Sequence, residues 1–275
     1  MRNNSFKPLS VEEEERKSYI SDCALLAFLS IIKKINKNQT ILSYRNNKAL
    51  KDKLGPNFKI QMGFGLHLGW GIEGAIGSYY KIDCSYLSPN VNISARLETA
   101  TNIYGVDILF SGEFYDTLST FMKKLCRKID VVALKGCVTP VTLYTVDVNP
   151  NIRPGKIKKN KKKMNIRERR IKKMKLKNIY DIQTEKTIGQ IYLSRSRGLR
   201  HLLKGSKSET FLSYFDEGYM YYINGDWKEA YTELKNALFL DQNDGPTRTL
   251  LRYIKKYNKI APSDWDGFRK LEAKF

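Results

Sequence analysis

Cysteine and histidine are scarce in this sequence, with four and two residues respectively, and they are scattered. Cys23, Cys84, Cys126 and Cys137 form no C-x-x-C pair, and His67 and His201 stand apart from all of them, which argues against a zinc site and against a disulfide framework. Long apolar runs are also missing. The longest, Cys23 to Ile32, is broken by Ser30 and is about half of what spans a bilayer. The opening MRNNSFKPLSVEEEERK has no apolar stretch of the kind a signal peptide carries. These absences predict a cytoplasmic protein in a reducing compartment, reaching a membrane or the cytoskeleton only through a partner.

Acidic residues are outnumbered, 28 against 49 Lys and Arg in 275 residues, for a net charge of +21. The imbalance is local. Arg153 to Lys177 holds 14 basic residues and one acid, Glu168, so this run accounts for +13 and the rest of the chain for +8. It has no interleaved aromatics on which bases could stack, so nucleic acid is not the expected partner, and the run reads as a linker or a solvated helix. A hydrophobic fraction of 41% is enough for a folded core.

Ser10 followed by Glu13 signals a capping box, and Tyr19, Ile20, Cys23, Leu26, Ala27, Ile31 and Ile35 recur at helical period, so the first element is a helix ending near Asn36. Phe58 to Leu68 alternates apolar with small or polar residues and predicts a strand. Gly69, Gly71, Gly74 and Gly77 suit a tight strand connection, and no G-K-[ST] follows them, so they do not make a phosphate loop. A second strand is expected over Tyr80 to Leu87, then a helix from Asn90 to Tyr104 with Pro89 at its entry and Gly105 at its end. Strands at Val106 to Phe110, Ile129 to Leu134 and Val141 to Val148, with a helical piece around Tyr115 to Cys126, complete an α+β portion over residues 1–150. Residues 151–184 are the basic linker, and 185–275 an all-helical tail. In that tail Tyr214, Gly218, Tyr221, Gly225, Ala230, Leu234 and Ala237 occupy positions favoured by one tetratricopeptide-like helix pair, with departures at Glu217 and Gln242. A single pair cannot bury both faces, so it should pack on the α+β portion or on a partner.

Five blocks run in order through the first part: G-L-H-L-G-W-G-I-E-G-A-I-G-S from Gly65, K-I-D-C-S-Y-L-S-P-N-V-N-I-S-A-R-L-E-T-A-T from Lys81, Y-G-V-D-I-L-F-S, I-D-V-V-A-L-K-G and P-V-T-L-Y. Together they resemble the second half of a class III nucleotide cyclase catalytic domain, the adenylyl and guanylyl cyclase fold. G-D-W and the closing D-W-D-G-F-R-K-L look like the C-terminal extension found on many microbial cyclases of this class. Asn92 and Arg96 stand one turn apart on the predicted helix, so their side chains leave the same face. Taken alone they would read as a capping amide and a surface charge. The resemblance implies more: the Asn orients a ribose, and the Arg stabilises charge on the phosphate as the 3′-hydroxyl attacks. Ser85 falls where the family places a side chain that reads the purine edge, usually Asp, Thr or Cys, and leaves ATP and GTP both open as substrate. Lys135 matches the first lysine of the family's K-G-K block, whereas Cys137 replaces the second, and a thiol brings no positive charge at neutral pH. His67 reads as a structural residue.

The family's two metal-binding aspartates belong to an F-x-D-I-x-G-F-T-type block and a following hairpin, both upstream of the helix that here begins near Ser10. Asp22 and Asp52 sit in no such motif. The resemblance therefore implies a nucleotide cyclase homologue, a phosphorus–oxygen lyase, that carries the Asn/Arg half of an interfacial site. Mg²⁺ or Mn²⁺ is expected only through a partner domain, and the chain alone should be inactive. Three possibilities follow: a fragment of a longer cyclase, a heteromeric complement to a complete cyclase domain, or a non-catalytic scaffold whose basic segment meets RNA or anionic surfaces. A strand edge and an apolar face left open by the missing strands should seek a partner.

Overall fold

The computed structural model describes residues 10–36, 38–56, 58, 60–134, 139–149, 165–182, 186–203 and 207–271. They fall into two units, one drawn from Met1–Ile60, Thr117–Lys124 and Pro150–Leu202, the other from Gln61–Asp116, Leu125–Asn149 and Leu203–Phe275.

The first unit is helical. Helix α1 (Val11–Ile35) starts where its capping box predicts: the Glu13 amide donates to Ser10 Oγ at 3.3 Å, and the Glu13 carboxylate accepts from the Ser10 amide at 2.9 Å. Glu12, Glu13 and Glu14 in its first turn and Lys33 and Lys34 in its last complement the helix dipole. Leu25, Leu26, Leu29 and Ile32 form its buried stripe. Short helices α2 (Gln39–Ser43) and α3 (Lys48–Leu54) follow, capped by Asn38 and Asn47. The strand-linking segment returns a one-turn helix to this unit, called α6 (Thr120–Lys123) below. Asp22 of α1 accepts from the Ser119 amide at 3.0 Å and from Ser119 Oγ at 2.6 Å, fastening the N-cap of that turn. Burial pushes the Asp22 carboxyl up, against the hydrogen bonds from Ser119 and Gly189. Helices α7 (Ile166–Ile182), α8 (Ile188–Arg195) and α9 (Arg197–Leu203) complete the unit. Much of the basic run, residues 153–164, lies outside the described residues; its end falls in α7.

The second unit is mixed α+β. Its elements are β1 (Phe64–Leu66), β2 (Ile72–Gly77), β3 (Ile82–Leu87), α4 (Pro89–Tyr104), β4 (Ile108–Ser111), α5 (Gly112–Asp116), β5 (Cys126–Ala133) and β6 (Val141–Val146). They are followed by α10 (Glu209–Asn224), α11 (Trp227–Leu240), α12 (Gly245–Lys256) and β7 (Arg269–Lys270). The five-stranded sheet has the order β1-β4-β6-β5-β7, with β1 parallel to β4 and β7 parallel to β5. Strands β2 and β3 form a separate antiparallel pair.

Three sequence expectations need correction here. The strand expected over Phe58 to Leu68 is regular only over Phe64–Leu66, because β4 offers a hydrogen-bonding neighbour only from Ile108 to Phe110. Gly74 and Gly77 are not in a tight connection but inside β2, opposite Ser85 and Ile82. The tail is helical except for β7, which finds its partner in the free edge of β5.

One core joins the sheet to the tail helices: Leu97, Tyr104, Leu109, Ile129 and Leu143 pack with Phe211, Phe215, Tyr222, Trp227 and Leu250. Charged side chains at this core are paired across elements. Arg127 of β5 grips Asp147 at 2.7 Å and Asp244 at 2.8 Å, and lies over the Phe215 ring at 4.4 Å. Asp244 also takes Lys207 at 2.7 Å and caps α12. Arg269 of β7 donates to Asp130 at 2.8 Å, and Tyr104 donates to the same oxygen at 2.6 Å.

Candidate active-site helix

Helix α4 carries Asn92 and Arg96, and the sequence around it explains its position. Ser88 at the N-cap accepts from the Asn90 amide at 3.0 Å, Pro89 fills the first turn, and Gly105 ends the helix at φ 62°, a left-handed value that glycine adopts without penalty. Leu97, Ala100, Thr101 and Tyr104 are buried, while Asn92 is exposed and Arg96 half-buried, one turn apart. The helix lies directly on β1. A Cβ at Gly65 would collide with the Ser94 carbonyl and the Glu98 amide of α4, and one at Gly63 with Thr101 Oγ1. Only glycine permits this approach.

His67, just past β1, ties the start of α4 to the end of β4. Its Nδ1 is 2.7 Å from Ser111 Oγ and its Nε2 is 3.1 Å from Asn90 Oδ1. Asn90 Nδ2 donates to the Trp70 carbonyl at 2.9 Å, which turns Oδ1 toward the ring, so Nε2 carries hydrogen and donates. Ser88 Oγ donates to the same Trp70 carbonyl at 2.6 Å. The Glu113 carboxylate stands 3.7 Å from Nδ1. His67 is thus structural, as its sequence context predicts, yet it pins the turn that precedes Asn92. Neither Asn90 nor Ser111 is singled out by the sequence, because their partners lie 23 and 44 residues away from them. Their place inside the matching blocks was the one available signal.

Ser85 sits on β3 opposite Gly74, exposed, on the two-stranded sheet that runs into Ser88. Lys135 and Cys137 lie outside the described residues. Half-buried Asp107, at the entrance to β4, has its carboxyl pushed up by desolvation. Among the described residues no three His, Cys, Asp or Glu side chains converge, and Asp22 turns both oxygens to Ser119. Among the described residues, no helix is long and apolar enough to cross a membrane.

The β2–β3 pair projects a strongly apolar surface. Ile72 is 61% exposed, Ile82 72%, Leu87 63% and neighbouring Trp70 64%. Ile72 and Leu87 face each other across the ladder, so their side chains form one patch.

No family model matches the chain. An adenylate cyclase of Anabaena cylindrica is 27% identical over 127 residues, which is 46% of this chain and 24% of that protein. Adenylate cyclase 1 of Rhizobium meliloti (strain 1021) is 28% identical over 100 residues, 36% of this chain and 14% of that protein. This chain contains a class III cyclase-like domain. The cyclase-like match covers under half of the chain and about a quarter or less of these relatives. Two solved chains of a bacterial light-regulated adenylyl cyclase are also similar. One has a TM-score of 0.34 at 24% identity, covering 49% of this chain and 34% of the other; the second has 0.27 at 18%, covering 50% and 46%. The chain is a mixed α+β structure with a helical C-terminal region.

Proposed function

We propose that this chain is a nucleotide cyclase homologue that supplies the Asn92/Arg96 half of an interfacial site turning ATP or GTP into cyclic nucleotide and diphosphate. The supporting observation is the placement of α4: Gly65 lets it lie on β1, and the His67–Asn90 contact pins its start, so Asn92 and Arg96 are presented from a rigid element. In this reading Asn92 orients the ribose. Arg96 stabilises charge on the α-phosphate while the 3′-oxygen bonds to phosphorus, loses its proton, and the bond to the departing diphosphate breaks. Ser85 meets the purine edge, and Lys135 contributes positive charge toward the phosphates. Mg²⁺ or Mn²⁺ enters with a complete cyclase domain that provides the carboxylates, and the apolar β2–β3 patch is the surface that domain covers.

The test is complementation. The purified chain alone should form no cyclic nucleotide with Mg²⁺ or Mn²⁺. Mixed with an intact cyclase domain, it should give activity that Arg96→Ala lowers about 100-fold, the scale of losing one transition-state donor. Activity indifferent to Arg96→Ala would reject the catalytic role and favour a non-catalytic scaffold on the same patch.

A further inference from the structure

A second candidate site lies in the helical unit, which the cyclase reading leaves unused. Helices α1, α7 and α8 enclose an open groove of about 780 Å³, within the size range of small-molecule sites. Its floor is one face of α1, where Tyr19, Cys23, Ala27, Ile31 and Lys34 recur at helical spacing; Met174 of α7 and Ile188 of α8 close its sides. At roughly 1.5 Å of rise per residue the strip from Tyr19 to Lys34 runs for about 22 Å, the reach of an extended long-chain acyl tail.

The charge in this groove is one-sided. Its charged lining residues are Lys34, Arg170 and Lys173; no carboxylate lines it, and none of the three cations is in an ion pair among the described residues. An apolar channel lined by three cations, with no carboxylate among its described lining residues, complements a molecule with one anionic head and one apolar tail. A neutral hydrocarbon would leave the cations unanswered, and a free phosphate would leave the channel wet.

We propose that this groove binds a long-chain fatty acid, its carboxylate held by Lys34, Arg170 and Lys173 and its tail laid along α1 over Cys23 and Ala27. Lining residues drawn from three helices suit a single free chain, which the vesicle comparison below separates from a membrane surface. This assignment is independent of the cyclase reading.

The experiment uses the full chain and hexadecanoate as probe, with hexadecan-1-ol, decanoate and phosphatidylglycerol vesicles as comparators. Titration calorimetry should show saturable one-to-one binding of hexadecanoate, about tenfold weaker binding of the alcohol, and much weaker binding of decanoate, since each buried methylene contributes up to about fourfold. Bound hexadecanoate should slow alkylation of Cys23, read peptide by peptide by mass spectrometry. Ala27→Trp places bulk in the groove at an exposed position and should abolish binding. Lys34→Gln with Lys173→Gln should weaken it about tenfold without changing the fold, on the scale of two exposed ion pairs. Absence of saturable hexadecanoate binding, equal affinity for acid and alcohol, or binding to vesicles alone would overturn the proposal, and so would unchanged Cys23 alkylation.

Discussion

Gly65 and His67 set where Asn92 and Arg96 stand, although neither belongs to the proposed catalytic pair. Gly65→Ala would drive a methyl group into the α4 backbone, and overpacking of this kind costs about 1 to 3 kcal/mol. The expected result is a lower Tm and, in the complementation assay, a lower rate with little change in nucleotide affinity. His67→Ala removes the partner of Asn90 Oδ1 and Ser111 Oγ and should cost about 1 to 3 kcal/mol while the fold persists, measured by urea unfolding. Asn92 and Arg96 were legible in the sequence because helical spacing and local blocks place them. The pinning contacts were not, because hydrogen bonds between residues 23 and 44 apart depend on how strands pair.

Among the elements, the β2–β3 pair differs from the main sheet. All of its β3 residues are exposed, whereas β4 is buried throughout. The sequence predicted a strand at β3 but read the glycines of β2 as a tight connection, and it could not say that the two segments would pair and leave Ile72 and Leu87 facing solvent. Ile72→Lys with Leu87→Lys should leave the circular dichroism spectrum unchanged and shift stability by about 0.5 kcal/mol or less, since both positions are already in water. The same pair should abolish association with a cyclase domain in analytical ultracentrifugation, because two cations would have to be buried in the interface. Unimpaired association would move the partner surface elsewhere.

Across the α+β unit, the buried ion network joins the tail helices to the sheet and gives stability a pH dependence. Burial alone would raise the Asp244 carboxyl, but Arg127 and Lys207 outweigh it and hold the carboxyl well below the usual carboxylate range. A depressed carboxylate contributes stability that is present above its unfolded value, about 3.9, and is lost as pH falls toward its folded value. Asp244→Asn should therefore lower stability by about 3 kcal/mol at pH 7. The gap between variant and native Tm should narrow below about pH 4, as the unfolded chain takes up a proton at Asp244 that the folded chain still excludes; a gap constant down to pH 3 would mean that the charge is not the stabilising feature.

The sequence by itself determined α1 to within a residue, since Ser10 and Glu13 cap it locally, and α4, since Pro89 and Gly105 mark its ends. It also determined the pairing of Asn92 with Arg96 on one helix, and the helix pair α10–α11, whose Gly225 turn adopts φ 92°. These features depend on neighbours within a turn or two, so short-range chemistry specifies them. Tertiary structure alone decided that β1 would shorten to the length of its partner and that β7 would add to β5. It alone decided that Asp22 would serve Ser119, and that α7, from the end of a charge run, would wall a groove with α1. Each of these joins residues far apart in the chain, where strand pairing, burial and close approach through glycine choose the partner and no local pattern encodes it.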